Sequence, residues 1–110
     1  MKTVTLDGSA ISDEQSFHAE FQSVLGFPAF YGRNMDALID CLGYADDPSA
    51  GMCSECVAPG EVLVLCIQKA ENFKRRCPAL WISFLESVAF VNWRRTERGQ
   101  AAILSVSAYA

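Results

Sequence analysis

Two aspartates, Asp36 and Asp40, have the spacing that most directly indicates a chemistry in this sequence. They stand at positions i and i+4 of a short apolar segment, so in a helix both carboxylates lie on one face. Two like charges at that spacing cost an isolated helix about 0.2–0.5 kcal/mol. A fold gains nothing from this repulsion, whereas a surface that meets a cation does. The spacing therefore predicts a binding face for a basic group.

Asp36 also has a purely structural interpretation, and Asp40 does not. In the first turn of the predicted helix, the Asp36 carboxylate stabilises the helix dipole by about 0.3–1 kcal/mol, which is enough to explain its presence. Asp40 lies beyond that turn, where the dipole gives no such reason. We therefore assign the binding role to Asp40 first and leave both interpretations open for Asp36.

The pair Cys53 and Cys56 forms a C-x-x-C motif, which is found in metal sites and in thiol-redox sites. Zinc needs four ligands, and the other candidates are distant in the sequence: Cys41, Cys66, Cys77 and His18. A single C-x-x-C in a loop is specific to neither chemistry, so both stay as alternatives. No metal and no cofactor are predicted.

The remaining polar and aromatic candidates have structural explanations. His18, the only histidine, has no partner nucleophile in view and is predicted to lie on the surface. Cationic side chains near a helix end complement its dipole, and the aromatic residues of the same helix follow its period. The dipole accounts for Arg94, Arg95 and Arg98. The helical period predicts Trp81 in the core and Trp93 at the boundary of the core.

Composition and charge narrow the class of function. The chain has 110 residues, a size that fits one domain with one core, residues 1–110. Nine basic and thirteen acidic residues give a net charge of −4. An acidic chain without a basic stripe is a poor binder of nucleic acid, whose affinity comes from Lys and Arg on phosphates. The same charge suits association with a basic protein.

Localisation and assembly are predicted from what the sequence lacks. Residues 1–7 contain no apolar central stretch of a signal peptide, and no apolar run approaches the roughly 18 residues of a membrane span. The odd number of cysteines, five, fits a reducing compartment. We expect a cytoplasmic protein without membrane contact. Its oligomeric state is left open, with a monomer expected.

Periodicity predicts the elements that position the aspartates. Residues 2–6 alternate as in a strand, Ser12 and Gln15 form a capping box for a first helix that ends at Gly26, and Asn34 caps a second helix over 35–43. Residues 44–60 form a long loop without a periodic pattern, which is either mobile or functional. Residues 62–67 form a continuous apolar run, typical of a central strand covered on both faces.

The C-terminal half continues the alternation of strands and helices. Residues 68–77 are mixed and polar, as in a short irregular helix. Pro78 begins a long helix that ends near Gly99, and residues 101–106 form the last strand. Helical crossovers between successive strands predict an α/β fold with a three-stranded parallel sheet packed with three to four helices.

The segment FYGRNMDALIDCL, residues 30–42, resembles the barstar family, intracellular inhibitors of ribonucleases of the barnase type. It is similar to the family's aromatic–Tyr-Gly-x-Asn-x-Asp-Ala-Leu-x-Asp signature, and the order of elements also agrees. The resemblance implies a protein that is not an enzyme. Its acidic helix would occlude the active site of a basic ribonuclease or a related basic toxin.

The resemblance also implies a set of contact residues. Asp40 matches the carboxylate that substitutes for RNA phosphate, Asp36 its upstream partner, and Phe30 an aromatic contact residue. Tyr31 is predicted to pack in the core, and Phe30 to be exposed. The predicted partner-binding residues are Phe30, Gly32, Asn34, Asp36, Ile39, Asp40 and Tyr44.

Three departures from the family pattern bear on the partner. Ile39 stands where barstar has a Trp, Arg94 stands at a position that is acidic in barstar, and the loop after Tyr44 is longer. That loop adds three acidic residues of its own: Asp46, Asp47 and Glu55. These differences favour a different target nuclease or toxin, and they keep open the alternative of a barstar-like module that binds a partner that is not a nuclease.

Overall fold

Three parallel strands form the sheet against which four helices pack. The computed structural model describes residues 1–110. The strands and helices follow in the order β1 (Lys2–Asp7), α1 (Glu14–Leu25), α2 (Met35–Leu42), β2 (Leu63–Gln68), α3 (Ala70–Arg76), α4 (Pro78–Glu97) and β3 (Leu104–Ala108). The strand order in the sheet is β1-β2-β3, and both pairs are parallel. The predicted fold class is confirmed. None of the helices combines the length and the apolar composition that a membrane-spanning segment requires.

Only one face of the sheet carries the hydrophobic core, which corrects the expectation that β2 is covered on both faces. Val4 and Leu65, paired in the register, are buried, whereas Thr5 on the other face of β1 is exposed. The strands follow one another in space, and right-handed crossovers that advance in one direction place both helix pairs on the same face. Cys66, on the outer face of β2, is buried because β2 is the central strand.

Four fully buried phenylalanines hold the helices together beneath the sheet. The ring centroids of Phe17 and Phe21 on α1 are 4.4 Å apart, and Phe84 on α4 lies 5.3 Å from Phe21. Phe73 on α3 packs 5.8 Å from Phe17. Tilted and edge-to-face rings at these distances are favourable arrangements. This cluster fixes α4 relative to α1.

Two boundaries differ from the sequence-based expectation. The capping box of α1 is formed by Asp13 and Ser16, not by Ser12 and Gln15: the Asp13 carboxylate accepts from the Ser16 amide, and the Ser16 hydroxyl accepts from the Asp13 amide. The two residues of each pair are three positions apart, as a capping box requires. Asp13 forms the cap because it directly precedes Glu14, the first helical residue. Gly26 ends the helix with a φ of 67°, as predicted.

β3 begins at Leu104, later than the predicted strand over 101–106. The preceding residues are held mainly by α4, although the Leu63 amide of β2 also donates to the Ile103 carbonyl at 2.7 Å. The Arg95 Nε donates to the Ala101 carbonyl at 3.0 Å, and the Asn92 Oδ1 accepts from the amides of Ile103 and Leu104, both at 3.1 Å. The predicted helix start at Pro78 is confirmed, and residues 68–77 contain a regular helix, α3, instead of an irregular one.

The long loop of residues 44–60 is fastened to the rest of the fold at several points. Its only regular structure is a 3-10 turn, Pro48–Ala50. The Val57 amide donates to the Ala45 carbonyl at 2.8 Å, and both side chains are buried in the core. The amide of Ser54 donates to the Leu25 carbonyl at the end of α1, at 3.0 Å. The loop therefore has a defined position beside α2.

Candidate functional site

The carboxylates of Asp36 and Asp40 are both exposed on α2. Their positions differ by four residues, so they stand about 6 Å apart along the helix axis. The four ion pairs of the protein and the contact between His18 and Glu14 include neither of them. The protein's own arginines and lysines therefore leave both acids available to solvent.

An aromatic turn, residues 27–33, leads into α2 and is held by Gln22 of α1. The Gln22 amide nitrogen donates to the Pro28 carbonyl at 3.0 Å, and its oxygen accepts from the Arg33 Nε at 3.1 Å. Arg33 has a φ of 51°, in the left-handed region, which turns the chain sharply before the helix. Phe30 is 76% exposed and Tyr31 only 6%, as the sequence predicted.

His18 is buried, which corrects the prediction that it lies on the surface. Its Nδ1 lies 2.6 Å from the Tyr31 hydroxyl, and its Nε2 lies 3.5 Å from a Glu14 carboxylate oxygen. Burial lowers the pKa of His18 from its usual 6.5, although Glu14 opposes the shift. Burial also raises the pKa of Tyr31. The neutral imidazole and the phenol thus tie α1 to the aromatic turn.

The sequence could not show this histidine–tyrosine pair. His18 follows the buried Phe17, and its partner lies 13 residues further along the chain, outside the helix. Helical periodicity predicts which face of a helix is apolar. It does not predict which polar group from another segment contacts a histidine on that helix. The pair sets the orientation of the turn that carries Phe30.

Asp40 stands at the junction of two small depressions. One, of about 170 Å³, lies on the side of the aromatic turn, and the other, of about 200 Å³, lies between the end of α2 and the end of α4. The first is lined by Phe30, Tyr31, Gly32, Ala37, Asp40, Cys41 and Met52, and the second by Asp40, Gly43, Tyr44, Arg94 and Arg98. Among the predicted contact residues, Phe30, Gly32, Asp40 and Tyr44 are thus brought together.

The other three predicted contact residues lie elsewhere on or beside α2. Ile39 lines a groove of about 430 Å³ between α2 and α4, together with Met35 and Phe90. The Asn34 side chain accepts from the Ala37 amide at 2.8 Å, which makes it the N-cap, as predicted. Asp36 lines none of these depressions, so its position fits the dipole interpretation as well as a binding role.

The arginines in the last turn of α4 contact other side chains in addition to complementing the helix dipole. Arg95 forms a bidentate ion pair with Asp46 of the long loop, at 2.8 and 3.2 Å, and the two side chains are 13% and 14% exposed. The Arg94 guanidinium lies 5.4 Å from the centre of the Phe90 ring. Sequence reasoning did not place Arg94 beside Asp40. The i, i+4 spacing of Arg94 and Arg98 was the available signal.

The two tryptophans are each more exposed than expected. Trp81 is half-buried against Phe73, with ring centroids 5.2 Å apart, and Trp93 is exposed and lies 5.8 Å from Phe90. Neither contributes to the depressions beside Asp40.

Cys53 and Cys56 are joined by a disulfide, and the other three cysteines are free. Both sulfur atoms lie 3.9 Å from the carbonyl oxygen of Tyr44. No three His, Cys, Asp or Glu side chains are grouped so that they could hold a metal ion. Burial, with a smaller effect from the Asp40 charge, raises the pKa of Cys41 to about 11, which keeps this thiol protonated at neutral pH.

Comparison with known proteins shows which family this sequence matches. The model of a family described as "Barstar (barnase inhibitor)" matches residues 1–105. A Bacillus subtilis (strain 168) protein described as "Putative ribonuclease inhibitor YrdF" is 41% identical over 49 residues. That alignment covers 44% of this chain and 54% of the relative, so the match spans about half the length of each.

Proposed function

The chain belongs to the barstar family, and we propose that it is an inhibitor that binds a basic ribonuclease and occludes its active site with α2 and the aromatic turn. The observation that carries this proposal is Asp40, an exposed carboxylate with no ion-pair partner in its own chain. The active site of a ribonuclease contains cationic groups that bind the RNA phosphate. A carboxylate on a rigid helix can replace that phosphate, because both anions accept hydrogen bonds from cationic side chains.

The surroundings of Asp40 support its role as the anchor. Phe30, 76% exposed, projects from the turn on one side, and the half-exposed Tyr44 lies on the other. Large aromatic side chains around a charged anchor exclude water from a protein interface, which strengthens the charge pair at its centre. The long loop, fastened to α1 and α4, holds the Tyr44 side of this surface in place.

The net charge of −4 supports an association that is steered by electrostatics. Opposite charges raise the rate of encounter, and salt screens this effect over about 8 Å at physiological ionic strength. We also propose that the protein acts in the cytoplasm as a monomer that protects its host cell, and that it needs neither a cofactor nor a catalytic group. The association rate with the nuclease is expected to fall as salt rises.

The direct experiment is to titrate the protein into barnase-type ribonucleases and to follow RNA cleavage. Inhibition at a one-to-one ratio is expected for at least one of them. Asp40→Asn should weaken it more than a hundredfold, because removing one partner of a desolvated charge pair costs about 3–5 kcal/mol. Asp47→Asn is the matched control, since it removes one charge at a residue outside both depressions and retains the oxygen that accepts from Ser49.

Two results would contradict the proposal. If no basic ribonuclease is inhibited, the function is wrong; a stable complex with a basic protein that cleaves no RNA would instead support the alternative of a barstar-like module for another partner. If Asp40→Asn and Asp47→Asn weaken inhibition equally, Asp40 is not the anchor.

A further inference from the structure

The depression between the ends of α2 and α4 contains both signs of charge. Asp40 lines it from α2, and Arg94 and Arg98 line it from the end of α4 and the residue that follows. Gly43 and Tyr44 complete the wall. Its volume of about 200 Å³ corresponds to that of roughly six or seven waters in the liquid, so a single carboxylate side chain from a partner fits.

Arg94 and Arg98 form no ion pair within the folded chain. Arg95, which lies between them in the sequence, is by contrast paired with Asp46 through two hydrogen bonds. Arg94 is half-buried and rests on the Phe90 ring, so its position is restricted. Stabilisation of a helix end explains a cation in the last turn of α4. It does not explain why two guanidinium groups line the same small depression as Asp40.

From this juxtaposition we propose that the partner ribonuclease carries a carboxylate at the rim of its cationic cleft, and that Arg94 and Arg98 bind that carboxylate while Asp40 binds the cleft. This inference rests on the proposed function. A guanidinium group presents paired N–H donors that match a carboxylate. The inhibitor surface, with a negative anchor beside two positive groups, thus requires the opposite pattern on its partner.

The same arrangement selects against other nucleases. A cleft rimmed only by cations would bind Asp40 but would bring its own charges against Arg94 and Arg98. Like charges that meet in a desolvated interface are repulsive, and such repulsion is how binding surfaces reject wrong partners. Arg94 and Arg98 are therefore specificity-determining residues, and Asp40 is the anchor.

The test uses a barnase-type ribonuclease that the unaltered protein inhibits, with RNA cleavage as the readout. The double variant Arg94→Gln/Arg98→Gln is expected to weaken inhibition at least tenfold, and Arg75→Gln, which removes an exposed cation on α3, should leave it unchanged. Arg94→Glu should weaken inhibition further, and replacing the partner's rim carboxylate by lysine should restore it. Urea denaturation checks that each variant is folded.

The outcomes separate this inference from the function on which it rests. If the double variant inhibits as well as the unaltered protein while Asp40→Asn does not inhibit, the inhibitor function stands and the partner carboxylate is refuted. If no nuclease is inhibited, both fail. Binding of a single-stranded oligoribonucleotide that disappears in the double variant would assign the two arginines to RNA phosphate and overturn the inference.

Discussion

Replacing Asp40 by asparagine is expected to change the stability of the fold only slightly, with a small gain at the centre of the range. Removing its charge ends the repulsion with Asp36, about 0.2–0.5 kcal/mol. It also removes a negative charge from the last turn of α2, which ends at Leu42, where the helix dipole makes it unfavourable by about 0.3–1 kcal/mol. Attraction to Arg94 and Arg98 opposes this gain, by about 0.2–1 kcal/mol for exposed charges.

Together, these ranges give a change between a loss of about 0.5 kcal/mol and a gain of about 1.3 kcal/mol in the free energy of unfolding, or roughly −2 to +6 °C in melting temperature. Two other aspartates give the comparison. Asp36→Asn removes a favourable charge from the first turn but also ends the repulsion with Asp40, so its effect should lie between a gain of about 0.2 kcal/mol and a cost of about 0.8 kcal/mol. Asp46→Asn leaves the Arg95 guanidinium, 13% exposed, without its bidentate partner and should cost about 2–3 kcal/mol.

Urea denaturation of the three variants at low and high salt is the assay. The order of stability is expected to be Asp40→Asn, then Asp36→Asn, then Asp46→Asn, and salt should reduce the first two effects because those charges are exposed. A loss of more than about 1 kcal/mol for Asp40→Asn would mean that this carboxylate supports the fold. The argument that the acid is present for a partner would then be refuted.

Three further predictions concern the framework of the site. Burial lowers the pKa of His18 from 6.5, so below that pH the unfolded chain binds more protons than the folded one. The free energy of unfolding should therefore fall by up to about 1.4 kcal/mol per pH unit as the pH drops below 6.5; urea denaturation that shows the same slope in His18→Gln would contradict this. Gly8→Ala should cost about 1–3 kcal/mol in thermal denaturation, because its Cβ would lie 2.5 Å from the carbonyl oxygen of Lys69; an unchanged melting temperature would refute the close contact. Reducing the disulfide of Cys53 and Cys56 should leave ribonuclease inhibition intact, because backbone hydrogen bonds also fasten the loop; lost inhibition in dithiothreitol would show that the disulfide controls the site.

Much of the fold could be predicted because its signals are local. The caps at Asn34 and Gly26 and the proline at the start of α4 each act within one helical turn. The parallel direction of the strands follows from the alternation of elements. The capping box was misplaced by one residue, since neighbouring polar residues at the start of α1 offer the same spacing. The prediction that both faces of β2 are covered was wrong. Apolar residues in a central strand do not reveal which elements pack on each face of the sheet.

The candidate site divides in the same way. The exposed position of Phe30 and the buried position of Tyr31 were predicted from the turn and are confirmed. The surface prediction for His18 failed, because its partner lies outside its own helix. The roles of Asp36, Asp40 and Ile39 in binding remain predictions, which the ribonuclease titration will test.

By itself, the sequence determined the order of strands and helices and the pairing of Asp36 and Asp40 on one short helix, because periodicity and capping depend on residues a few positions apart. Only the tertiary structure decided which charges are free. It paired Asp46 with Arg95, 49 residues away, and left Arg94 beside an unpaired Asp40. Contacts of this kind depend on how α2, α4 and the long loop pack together, and the composition of each segment alone does not contain that information.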